Sequence, residues 1–254
     1  MNIYSYYAYI IYENGFFVNK FVFKVAICFI VSLVFSSSLF YNGGGEEKME
    51  LLTYRTPRTK TGEKTFNKII QAGKELFAQN GFHATSVNLI IERAQIAIGT
   101  FYIYFDNKLM LYLYLLQQYK ISIRQASREA IVGLTSRYDI EKAGIKAFLS
   151  YVHKDPLAYK VIWESLFVDS NIFVDYYSDF SKSYIHQLEK HVPEEINKTI
   201  DLETLSFVLM GISNFVGLQV LFKKECTDEE IDRIADEVMK ILSFGIFNKN
   251  ANGV

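Results

Sequence analysis

The residues of this 254-residue chain that could do chemistry are few and scattered. Its two cysteines, Cys28 and Cys226, lie in unrelated contexts without metal-type spacing, which predicts a reduced, cytoplasmic protein. His186 and His191 stand five apart and fall on different faces of a helix, which argues against a metal pair. The sequence offers no nucleophile beside a base, no metal set and no glycine-rich phosphate loop. It therefore predicts no enzyme, no cofactor and no metal site. What remains is phosphate chemistry. Between positions 49 and 110 eight basic residues (Arg55, Arg58, Lys60, Lys64, Lys68, Lys74, Arg93, Lys108) outnumber five acids (Glu50, Glu63, Glu75, Glu92, Asp106). From Leu111 onward sixteen basic residues stand against twenty acids. A net charge of −1 excludes a nonspecific nucleic-acid coat, but a basic head on an acidic body suits local contact with a phosphate backbone. Thr85, read as opening a short helix, offers a hydroxyl and free backbone N–H groups to a phosphate.

Helices must position these groups. Half of the chain is apolar and only 3 prolines interrupt it, which favours an all-α fold over a turn-rich β architecture. The 18 Tyr and 21 Phe fit an aromatic core or pocket, and equally an AT-rich genome. Phe66, Ile69, Ile70, Gly73, Leu76 and Phe77 recur at three- and four-residue steps along one helix face that stops at Asn80-Gly81. A short helix follows from Thr85 to about Ala94, then a tight turn at 95–97 and a third helix over 98–105. Asp106-Asn107 caps a long fourth helix running toward Leu134. Further helices open at Asp139, at Asp155-Pro156, near Ile172, at Asp201 and at the capping box Thr227-Asp228-Glu229-Glu230, for about nine in all. Two short helices joined by a three-residue turn form a helix-turn-helix, which presents the second helix to a major groove.

Residues 77–108 read FAQNGFHATSVNLIIERAQIAIGTFYIYFDNK. With Leu76 ahead of it, this stretch resembles the DNA-binding segment of the tetracycline-repressor (TetR/AcrR) family. The matches are the opening at 76–87, the buried Ile90 and Ala94, and the GTFYxYFxNK run from Gly99 to Lys108. They span about sixty residues in register; beyond them the resemblance is architectural. It implies a three-helix DNA-binding domain followed by an α-helical ligand-binding and dimerisation domain. It also implies a regulator of transcription, read as a repressor that leaves a palindromic operator on binding an apolar small molecule. An activator or a membrane-anchored regulator of the same fold is the alternative. By resemblance Tyr102 and Lys108 grip the backbone, while Ile98, Gly99, Thr100, Ile103 and Tyr104 face base edges. Ile98 and Ile103 cannot donate hydrogen bonds, so they would read thymine methyls or groove shape. Phe101 and Phe105 fall on the inward face as core, and Tyr104 serves packing as readily as contact. Arg55, Arg58 and Lys60 are a minor-groove arm or a solubilising tail. The chain departs from the family pattern at Leu89, Ile91 and Gln95. The first two predict tighter apolar packing, and Gln95, in place of the turn glycine, must turn left-handed.

In such a family the last two helices pair with their twins to form a homodimer. Leu205, Leu209, Ile212, Val216, Ile234, Val238 and Ile241 supply the expected apolar surface. The expected pocket among the middle helices is lined by Trp163, Phe167, Tyr176, Tyr177, Phe180, Tyr184, Phe207 and Met210, without a charged cluster. Residues 49–110 are thus read as arm and reader, 111–247 as the sensing body and 248–254 as a tail. Ahead of Met49, Gly43-Gly44-Gly45-Glu46-Glu47-Lys48 back-translates to a purine-rich run like a ribosome-binding site. Residues 1–48 are accordingly expected to be translated leader, with a membrane anchor in the uncharged stretch 25–40 as the competing reading.

Overall fold

Side-chain caps divide the chain, and they decide where most of its helices start. The computed structural model describes residues 54–190, 200–223 and 225–244. The readings of 1–48 and of the 248–254 tail lie outside these residues. Among them run nine α-helices: α1 Lys60–Asn80, α2 Val87–Ala94, α3 Ile98–Tyr104, α4 Lys108–Ala130, α5 Arg137–Lys154, α6 Pro156–Val168, α7 Ser170–Lys190, α8 Leu202–Phe222 and α9 Asp228–Phe244. Thr59, Ser86, Asn107, Ser136, Asp155 and Asp201 each accept the N–H of the third residue onward. Each thereby satisfies a donor that the helix leaves open. Two starts differ from expectation: Ser86 rather than Thr85 caps α2, and Ser136 opens α5 ahead of Asp139. Ser86 is next to the first helical residue, and Ser136 accepts the Asp139 N–H, which places Asp139 inside the first turn of α5. Asn107, Asp155-Pro156 and Asp201 are the caps the sequence predicts.

The reader is built around one face of α1. Phe66, Ile69, Ala72, Leu76 and Phe77 are buried against Ile90 and Ala94 of α2, Phe101 of α3, Phe105, and Leu111, Tyr112 and Leu115 of α4. Gly73 lets α1 and α4 approach closely: a Cβ there would meet Leu111 Cδ2 at 2.7 Å. The ring of Phe66 lies 5.3–5.4 Å from those of Tyr104, Phe105 and Tyr114. Gln95 takes φ 55° and ψ 55°, the left-handed turn that its place between α2 and α3 demands. Leu89, expected to pack, is instead exposed, whereas Ile91 is partly buried.

Behind the reader, α4 packs on α5, α5 lies against α8 and α9, and α7 lies against α6 and α8. Helix α6 also packs on α1. The side of α6 that faces α1, α4 and the turn after α1 is heavily hydrogen-bonded. Tyr112 Oη donates to Val161 O at 2.6 Å, and the N–H of Phe82 donates to Glu164 Oε1 at 3.2 Å. His83 Nε2 lies 2.8 Å from Phe167 O, and Lys74 Nζ lies 2.5 Å from Asp155 Oδ2. Helix α6 thus joins the body to the reader in addition to α4.

Candidate nucleic-acid interface and effector pocket

On α3 the residue types and their exposure agree. Ile98, Tyr102 and Ile103 stand about half exposed, although their chemistry would favour burial. Gly99 beside them has open space where a Cβ would be, so the backbone there can approach a partner closely. Thr100 is partly covered, and Phe101 and Phe105 are fully buried as expected. An apolar, aromatic face kept in solvent on a short helix is a surface for a partner.

Three of the expected contacts are placed otherwise. Thr85 is fully buried, and its hydroxyl donates to Gly81 O at 2.8 Å and Leu76 O at 3.2 Å. It closes the end of α1 and cannot reach a phosphate. Tyr104 donates to Gly62 O at 3.3 Å and packs edge-on against Phe66, so it ties α3 to α1 instead of facing bases. Lys108 turns inward. Its ammonium donates to Phe82 O and Thr85 O at 2.8 Å and to His83 O at 3.4 Å, and it lies 4.3 Å from the Phe82 ring centroid. Partial burial holds its pKa below the usual lysine value. Lys108 thus binds the α1–α2 turn together, because carbonyls at a helix end outcompete water for a nearby cation. Replacing it with Met is expected to destabilise the protein by about 2 kcal/mol. A salt titration of DNA affinity should then keep nearly its original slope. A slope reduced by about one unit would mean a direct phosphate contact. The basic arm begins tethered: Tyr54 bridges to Phe105, and Arg55 N donates to Tyr104 O at 3.1 Å.

Within the body a pocket of about 390 Å³ opens among α4, α5, α6, α7 and α8, a size that suits a small ligand. Tyr176, Tyr177, Phe180, Tyr184 and Met210 line it as expected. Trp163, Phe167 and Phe207 do not. Trp163 is buried between Tyr159 and Phe215, and Phe167 lies beside the reader, where its carbonyl meets His83. Phe207 is exposed on the outer face of α8. A rotation of about one residue around a helix separates a pocket face from an outer face, and aromatic content alone does not set it.

The pocket is also more charged than expected, since Arg124, Arg128, Arg137 and Glu141 line it. Arg137 pairs with Glu141 one turn on, and Tyr184 donates to the same carboxylate. The signal for them was helical spacing: each of these charges sits within one turn of an apolar residue on the same wall, such as Ile123, Ile131, Ile140 or Ile145. Of the residues expected at a dimer seam, Leu209, Ile234 and Val238 are buried within the single chain, and Leu209 lines the pocket. Leu205, Ile212 and Val216 are partly exposed, and Ile241 is exposed. The apolar residues that face solvent on α8 are Phe207, Val208, Phe215 and Phe222. Helix α8 is long and apolar enough to span a membrane, yet one of its faces lines the pocket while another carries these exposed residues.

Residues 69–115 match the family model described as bacterial regulatory proteins, tetR family. Among curated proteins, the chain is 29% identical over 101 residues to the HTH-type transcriptional activator FasR of Mycolicibacterium smegmatis, a match covering 40% of this chain and 46% of that one. The aligned stretch thus spans less than half of that relative. In fold it is similar to FadR of Bacillus subtilis in complex with stearoyl-CoA, with a TM-score of 0.56, 18% identity, and 72% of this chain and 100% of the other covered. It is likewise similar to the fatty acid degradation regulator FadR of Bacillus halodurans, with a TM-score of 0.58, 19% identity, and 72% and 100% covered.

Proposed function

We propose, because this chain belongs through its residues 69–115 to the tetR family of bacterial regulatory proteins, that it is a homodimeric repressor released from a palindromic operator by a small-molecule effector. The observation that carries this reading is the exposed apolar face of α3, where Ile98, Tyr102 and Ile103 surround the open backbone of Gly99. Isoleucines there meet thymine methyls and groove shape, and the Tyr102 hydroxyl reaches the phosphate backbone. Two copies of α3 reach successive major grooves only when a dimer holds them at one helical repeat. Val208, Phe215 and Phe222 recur at seven-residue spacing on α8 and, with Phe207 and Ile241, offer the apolar seam for that dimer.

The effector reading rests on the pocket and on its neighbour α6. Tyr159 and Ile162 line the pocket, while Val161 and Glu164 of the same helix hold Tyr112 and the 82–83 turn of the reader. A ligand that displaces α6 therefore moves the reader, provided it binds the displaced form better. A hundredfold preference supplies about 2.7 kcal/mol, enough to empty an operator that is not heavily saturated. Since a protein of like fold holds stearoyl-CoA, we take the effector to be a long-chain acyl compound.

Footprinting on the DNA flanking the gene tests the reading, and protection of a palindrome is the expected result. Tyr102→Ala should weaken binding to all sequences by a similar factor of about tenfold. Thr100→Ala should change base preference instead. If neither variant altered binding, α3 would not be the reading helix.

A further inference from the structure

Two residues of the pocket wall carry buried hydrogen-bond donors that no described residue uses. Arg124 Nε and Tyr176 Oη are both buried, both belong to pocket-lining residues, and neither has a partner among the described residues. Buried polar groups are nearly always paired, and leaving one unpaired costs stability. Two such donors on residues of one cavity wall suit an acceptor that comes from outside and reaches them as the wall side chains shift.

The donors are held in place. A terminal nitrogen of Arg124 donates to Asp179 O at 2.8 Å and Ser183 Oγ at 2.7 Å, and the guanidinium lies 5.0 Å from the Phe180 ring centroid. Nη2 is thus occupied, while the buried Nε has no partner among the described residues. Tyr176 packs against Tyr177 and Phe180, with ring centroids 5.5 and 5.1 Å away. Burial pushes its phenol far above the usual tyrosine range, Tyr177 and Tyr151 add to this, and the Arg124 guanidinium pulls the other way. The two groups therefore sense each other, and the phenol keeps its proton and remains a donor. Charge favours the same ligand. Lys120, Arg124, Arg128 and Arg137 on and just behind the wall outnumber Asp179 and Glu141, with Asp179 paired to both Lys120 and Arg124. The remaining wall is apolar: Ile145, Phe148, Ile162 and Leu209.

We propose that Arg124 and Tyr176 form a subsite for the acyl oxygen of a long-chain ligand, either a free carboxylate or the carbonyl of a thioester, with the chain laid along the apolar wall. The proposal rests on the effector reading above and names the chemistry that reading leaves open. The pocket follows α7 from Tyr176 to Gln187, about 16 Å at 1.5 Å per residue, which an extended chain of roughly a dozen carbons spans.

The test uses dodecanoate, dodecanoyl-CoA and dodecyltrimethylammonium, the last having the chain without an acyl oxygen. Each is titrated calorimetrically into the full chain and into Tyr176→Phe, without DNA. At least one acyl probe should bind, and the stronger of the two identifies the source of the oxygen. Tyr176→Phe should weaken that probe about tenfold and leave dodecyltrimethylammonium unchanged. Its melting temperature without ligand should equal or exceed that of the parent, because an unpaired hydroxyl has been removed. Unchanged acyl affinity in Tyr176→Phe, a lower melting temperature, or failure of both acyl probes to bind would each overturn the subsite. Operator release is measured separately. Tyrosine-dependent binding without release would sink the regulatory reading and leave the subsite standing.

Discussion

Phe105→Ala is expected to destabilise the reader by about 3–5 kcal/mol and to abolish operator binding. Phe105 is fully buried and stacks on Phe66 at 5.4 Å, with Phe101 and Tyr114 at 5.9 and 5.8 Å. Truncation removes the ring that joins α1, α3 and α4 and leaves a void among aromatics too large to collapse into it. Tyr54 of the arm pairs with Phe105 through the backbone, a contact that alanine keeps. Thermal denaturation alongside an operator-binding assay measures both effects. A variant that melted close to the parent and still bound DNA would show that α3 is held by other contacts.

Arg137→Ala is the second large effect, at about 3–5 kcal/mol. Arg137 and Glu141 are both buried, and the pair forms part of the pocket wall. Removing the guanidinium leaves the Glu141 carboxylate with the Tyr184 hydroxyl in a largely apolar surround. Desolvation of that charge is then poorly offset. Arg137→Met with Glu141→Gln removes both charges and keeps an acceptor for Tyr184, so most of the lost stability should return. The comparison of single and double variants is a melting experiment. For a chain of this size the single change corresponds to a fall of about 10 °C. Equal melting of the two variants would mean that the loss came from packing and not from the stranded charge.

The sequence by itself determined the helices and the reader. Caps at Asn107, Asp155 and Asp201 and the glycine after Asn80 are local signals, since they act through hydrogen bonds within a few residues. The inward face of α1 and the burial of Phe101 and Phe105 followed from periodicity, and the left-handed Gln95 from its standing where the family has a turn glycine. The outward placing of Ile98, Tyr102 and Ile103, which are exposed, came instead from the family resemblance. Tertiary structure decided what each polar group touches. Thr85 and Lys108 were legible as a hydroxyl and an ammonium near a reading helix. Only the approach of the α1–α2 turn showed that both are spent on its carbonyls. Likewise α8 is apolar around most of its circumference, so its sequence could not say which face meets the pocket and which a partner. Leu209 turned inward while Phe207 and Val208 turned out. The unpaired Arg124 Nε and Tyr176 hydroxyl were invisible in the chain for the same reason. Whether a donor is satisfied depends on atoms more than fifty residues away, such as Asp179 and Ser183 for Arg124, which only packing brings together.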